Sequence, residues 1–156
     1  MADLFHAALR DARSGRFESA EANLTQFLSG RVSRDAEASA CALLGFVEFH
    51  LGKIDEAVKS LQRSVHLRGN NADAHSNLCS ALRLQGKNLG AAIWHGRKAV
   101  ALRPGLPEGL LNLGNALEEK GALDDAISLY KRALAKRPGY PEALFGLGNT
   151  LGKRGE

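Results

Sequence analysis

Apolar residues return at every third or fourth place along most of this chain. Leu110, Leu113 and Leu117 make one such stripe; Ala126, Tyr130, Ala133 and Leu134 make the next. That spacing predicts two amphipathic helices. Between them Gly121 follows Lys120, where a helix tends to end on a left-handed residue. Asp124 and Asp125 then open the second helix at the positive end of its dipole. Pro138 and Pro141 bracket the exit, one stopping a helix and the other starting a new one. Gly114 and Ala126 are small residues on facing stripes, so the two backbones are expected to approach closely there.

The same phrase then begins again. Pro107 and Pro141 are 34 residues apart, and so are Pro104 and Pro138, and Gly121 and Gly155. A fixed period of this size marks a stack of helix pairs, each too small to bury its apolar face alone. The frame divides the chain into repeats at 1–37, 38–71, 72–106 and 107–140, with a fifth beginning over 141–156 as one continuous array. Helices are predicted near 3–13, 17–29, 36–50, 54–67, 72–84, 89–102, 107–119, 123–136 and 141–153, with no strand. The first repeat is longer and divergent, with Asp11 and Phe27 where the fourth has Leu117 and Ala133. In the third, Gly96 stands at the place of Tyr130, which predicts a gap that Trp94 either fills or leaves while facing a partner. The fifth repeat stops before its second helix, leaving Leu144, Leu147 and Leu151 without the cover that earlier first helices receive. The expectation is a segment of a longer protein, or an open end covered by a second copy as a homodimer.

Placed on this frame, Leu110, Leu113, Gly114, Leu117, Ala126, Tyr130, Ala133 and Pro138 resemble the tetratricopeptide repeat family. Leucine replaces that family's usual aromatics at Leu110 and Leu117. The resemblance implies an all-α, right-handed superhelical solenoid of antiparallel helix pairs, with the first helix of each pair lining a concave groove. It also implies a scaffold that binds a peptide or helix of a partner protein. The alternative is the substrate-recruiting N-terminal part of a larger enzyme, such as a glycosyltransferase.

Composition narrows the choices little. Apolar residues make up 44% and charged residues 24%, a folded composition, and the formal charge is +4. Cations are scattered and no aromatic platform accompanies them, so nucleic acid is not an expected partner. No apolar run is long enough for membrane insertion, and a cytoplasmic location is expected. Cys41 and Cys79 fall on apolar stripes and read as free buried thiols. The five histidines offer no pair spaced on one helical face, and His75 reads as a packed residue, so no metal is expected. No cofactor cradle and no catalytic constellation emerges, so an enzyme active site within these residues is not expected.

Binding is where the pattern has content. The face beside each first-helix stripe carries Asn77 and Ser80 in the third repeat, Asn112 and Asn115 in the fourth, and Phe145 and Asn149 in the fifth. The asparagines form a row of amides, each with donors and an acceptor for the main chain of an extended peptide. This is similar to the asparagine ladder of O-linked N-acetylglucosamine transferases, though thinner. Nearer the N-terminus the same face is apolar, with Phe46 and Phe49 expected to take hydrophobic anchors. The family's lysine clamp for chaperone tails is absent, since Phe5, Ala42, Ser76 and Leu111 occupy its key position.

Overall fold

A computed structural model describes residues 2–155, and nine α-helices account for most of them. They are α1 (Ala2–Arg13), α2 (Phe17–Leu28), α3 (Arg34–His50), α4 (Ile54–Leu67), α5 (Ala72–Gln85), α6 (Leu89–Leu102), α7 (Pro107–Glu119), α8 (Leu123–Lys136) and α9 (Pro141–Arg154). No strand occurs among the described residues. The predicted boundaries hold to within a residue or two at most ends. Helix α3 begins earlier than expected, because the Ser33 hydroxyl accepts from the Ala36 amide and caps it.

The turns inside the pairs share one construction. Gly15, Gly52 and Gly121 have φ between 72° and 85°, a left-handed conformation that a side chain would strain. After each glycine the next amide reaches back to the helix it has just left: Arg16 to Asp11, Lys53 to Glu48, and Ala122 to Leu117. This hydrogen bonding reverses the chain in a few residues and sets the antiparallel pairs α1–α2, α3–α4 and α7–α8.

The chain divides at Ala74 and His75 into two compact units. In the first, Ala8, Leu24, Phe27 and Val47 form the core, with Phe5, Phe17, Leu43 and Phe46 packed against it. Gly45 admits Leu61 so closely that a Cβ there would lie 2.5 Å from its Cγ. Asp11 is a polar hub rather than an inner-stripe residue: it accepts from Arg16, Ser19 and Asn23. The Ser19 bond leads in holding its carboxyl below the ordinary range, with Arg16 adding to it. Glu48 is buried between α3 and α4, and its Oε2 has no hydrogen-bond partner. Burial pushes its pKa up.

In the second unit Leu110, Leu113, Leu117, Ala126, Tyr130 and Ala133 are all buried, as their stripes predicted. The tightest contact of Gly114 is with Tyr130: a Cβ at Gly114 would sit 2.7 Å from the tyrosine ring, and one at Gly146 of α9 2.9 Å from it. The ring is therefore wedged between two helices, each of which has a glycine at the contact. The gap expected at Gly96 does not exist, because Cys79 and Leu113 close to within 3.0 Å of where a Cβ would be. Trp94 consequently stays outside and is 58% exposed. Both cysteines are free and buried, and burial pushes the Cys79 thiol up to about 12. On α9, Leu144 is half exposed, while Leu147 and Leu151 are partly buried.

Candidate functional site

The second unit contains an open cleft of about 630 Å³, formed by one residue of α5 and several of α7 and α9. Arg83 comes from α5, Asn115, Glu118 and Glu119 from α7, and Glu142, Phe145, Asn149 and Lys153 from α9. These α9 residues recur every three or four positions and so share one helical face. Phe145 is 77% exposed, a large aromatic ring on the cleft wall with little of it packed. Gly146 lies beside it, small because Tyr130 presses from below.

Glu118 organises the floor. It accepts from Lys153 Nζ at 2.7 Å, Asn149 Nδ2 at 2.8 Å and the Tyr130 hydroxyl at 2.8 Å. Burial acts to raise its carboxyl, but the bonds from Lys153 and Tyr130 outweigh it and hold it below the ordinary value. The tyrosine shifts up, through burial first and the Glu118 bond second. The same hydroxyl is also 2.8 Å from Asn115 Oδ1, yet it has one proton to give. A carboxylate is the stronger acceptor, so the proton goes mainly to Glu118, with the Asn115 carbonyl oxygen as the weaker second acceptor. Asn112 gives its NH₂ to the Ser76 carbonyl at 3.1 Å and to its hydroxyl at 3.0 Å. Asn112 and Asn149 thus use N–H groups to join neighbouring helices, whereas Asn115 turns its carbonyl oxygen to Tyr130. Arg83 completes the floor, 3.4 Å from Glu119, with its buried Nε lacking a hydrogen-bond partner.

The structure gathers Asn115, Phe145 and Asn149 in this cleft and leaves the other expected residues outside its lining. Asn77, Ser80 and Asn112 are partly buried nearby in sequence frame. Ser76 and Leu111, which the same frame placed on the groove face, are buried. Phe46 and Phe49 belong to the first unit. There Phe46 packs edge-on to Phe17 and His50 at centroid distances of 6.3 and 4.4 Å, and Phe49 approaches His50 at 5.8 Å. Arg83, Glu118, Glu119 and Lys153 bring charge to the cleft, and their pairing is made between helices, which spacing along one helix does not reveal.

One polar contact was missed outright. His75 and His95 face each other across α5 and α6 with their Nδ1 atoms 2.9 Å apart. Burial first, and His75 second, push His95 down to about 4. No group of three or more His, Cys, Asp or Glu suited to a metal ion occurs among the described residues. No helix among them is long and apolar enough to cross a membrane.

Stacked antiparallel helix pairs with glycine turns define a helical-repeat protein, and the comparisons agree. A tetratricopeptide repeat model matches residues 43–107 and a second model, described as TPR repeat, matches 114–155. The chain belongs to the tetratricopeptide repeat family, with its all-α solenoid fold. None of the curated proteins compared matches it by sequence. Among solved structures it is similar to MamA, with 23% identity and a TM-score of 0.77 over 99% of this chain and 82% of that one. It is also similar to YrrB, described as a TPR protein with an unusual peptide-binding site: 21% identity, TM-score 0.74, 91% of this chain and 71% of that. A third is the first TPR of Spaghetti (RPAP3), bound to an HSP90 peptide, at 24% identity and TM-score 0.72 over 78% and 96% of the two chains.

Proposed function

We propose that the chain is a non-catalytic interaction module, and that the cleft between α7 and α9 holds an extended segment of a partner protein. The observation that carries this reading is Phe145, whose ring is left in solvent beside a row of amides and paired charges. An isolated exposed aromatic needs no explanation, but one set into a concave, polar-rimmed site is the usual form of a binding anchor. The asparagines supply the main-chain contacts. Asn149, whose amide donates to Glu118, offers its carbonyl oxygen to an N–H of the ligand, and Asn115, whose oxygen faces Tyr130, offers its NH₂ to a ligand carbonyl. Phe145 takes an apolar side chain of the same segment. YrrB and RPAP3 are peptide-binding relatives in fold, which favours this use of the architecture. Phe46 and Phe49 are assigned a lesser part, an apolar contact surface on the first unit.

A displayed library of short random peptides tests the proposal. Selected peptides should protect α7 and α9 from hydrogen exchange and lose at least about tenfold in affinity with Phe145→Ser, a change of about 1.4 kcal/mol or more. Selected peptides that bind the Phe145→Ser protein as well as the parent would defeat it.

A further inference from the structure

We infer that the outward face of α6 is a second interaction surface, fitted to an acidic, leucine-bearing segment of a partner protein. Trp94 is its anchor. The ring is 58% exposed, yet it is held edge-on against His95 and His75 at centroid distances of 4.8 and 6.0 Å. A large aromatic surface that is already fixed loses little freedom on binding, which is what makes such a residue an effective contact.

The residues around it set the kind of partner. Trp94, Arg97, Lys98 and Ala101 recur at helical spacing and are all exposed, and Leu102 adds a further apolar side chain that is 38% exposed. Among the described residues Arg97 and Lys98 have no ion-pair or hydrogen-bond partner. Helix α6 also has no carboxylate anywhere along it, although each of the other eight helices has an acidic residue in its first turn. The face is therefore aromatic, aliphatic and cationic, with nothing on its own helix to neutralise it. A segment carrying carboxylates for the two cations and a leucine for Trp94 complements it on both counts. Two large apolar side chains are too few to hold a protein on a bilayer. A single ring offers no series of platforms for successive nucleic-acid bases. None of these residues lines the α7–α9 cleft.

Trp94 is the chain's only tryptophan, so its emission reports this face alone. The whole chain is titrated with a short soluble peptide of glutamate and leucine at low salt. The same peptide with lysine for glutamate, single-stranded DNA and phosphatidylserine vesicles serve as the other arms. The expected result is a saturable blue shift with the acidic peptide, weakened by salt as exposed charges are screened. Arg97→Glu with Lys98→Glu, on a protein whose helical circular dichroism is unchanged, should weaken binding about tenfold or more. Arg97→Gln with Lys98→Gln provides the same test if charge reversal disturbs folding. Phe145→Ser should leave the shift intact, which separates this surface from the cleft. Absence of a saturable shift would overturn the inference, as would equal binding of the lysine peptide or preferential response to DNA or vesicles. A shift abolished by Phe145→Ser would overturn it too.

Discussion

The α5–α6 and α7–α8 pairs fill equivalent places in successive repeats, and they solve the same packing problem from opposite sides. In α7–α8 the first helix contributes the glycine, Gly114, and the second contributes the bulk, Tyr130. In α5–α6 the order is reversed: Cys79 stands on the first helix and Gly96 on the second, with Leu113 of α7 filling the remaining space. A close crossing needs one residue without a Cβ at the contact, and either helix can supply it. The pairs also differ in the buried positions beside this contact. Leu110 and Leu129 are buried in α7–α8, where the repeat frame places the hydrogen-bonded His75 and His95 in α5–α6. Apolar packing tolerates any protonation state; the histidine pair does not.

Truncating the side chain that the two pairs share should have the largest effect. Leu113→Ala removes the filler at Gly96 as well as core contacts of α7 and is expected to cost about 2–5 kcal/mol in denaturant unfolding. An unchanged midpoint would place Leu113 outside the core. Gly114→Leu comes next, because its side chain must displace the Tyr130 ring; a loss of about 1–3 kcal/mol is expected, together with disturbed Glu118 and Asn115 bonds.

The frame of the fold could be read directly from leucine spacing and turn glycines, since both act within a single helix or turn. What could not be read depends on contacts between helices. Nothing in the local pattern tells that the Tyr130 ring presses on Gly114, because Ala126 and Tyr130 both lie on the facing stripe. His75 and His95 are 20 residues apart on different helices, so a search for ligands on one face passes over them. Of the asparagine row, Asn115 and Asn149 line the cleft, whereas Asn77 and Asn112 do not. The row's inward bonds to Ser76, Tyr130 and Glu118 emerge once the helices are stacked.

The histidine pair should give the next effect. His95→Leu strips the buried His75 Nδ1 of its hydrogen bond and should cost about 1–3 kcal/mol, whereas leucine at both positions should be near neutral. A double variant less stable than the single would show that the pair contributes more than apolar packing can. The pair also sets a pH response. His95 is held near 4 against an ordinary 6.5, so its contribution is full above 6.5 and is lost as pH falls toward 4. Melting temperature should drop across that window in the parent and less so in the double leucine variant. Glu48 should act with the opposite sign. Its raised carboxyl contributes fully below 4.5, and that contribution is lost as pH rises, so Glu48→Gln should raise the melting temperature at neutral pH and not in acid.

The smallest difference between the pairs lies at the entry to their second helices. Helix α6 has Asn88, whose side chain accepts from the Ala91 amide at 2.9 Å. Helix α8 has no side-chain cap and relies on Asp124 and Asp125 in its first turn. Asn88→Ala should cost about 1 kcal/mol, and Ala122→Asn should recover a similar amount in α8. Equal melting curves for parent and Asn88→Ala would show that the cap is not needed.

The bonds behind Asn115 and Asn149 also make the two cleft amides unlike. Asn149 gives an N–H to Glu118 and leaves its carbonyl oxygen outward, whereas Asn115 turns its oxygen to Tyr130 and leaves its NH₂ outward. For an extended segment lying in the cleft, the first would meet a main-chain N–H and the second a main-chain carbonyl. Proline has no N–H to give but keeps its carbonyl. A single proline moved along a bound segment should therefore weaken binding at the residue that meets Asn149 and spare the one that meets Asn115, an asymmetry written into the ligand by the way two amides are anchored behind it.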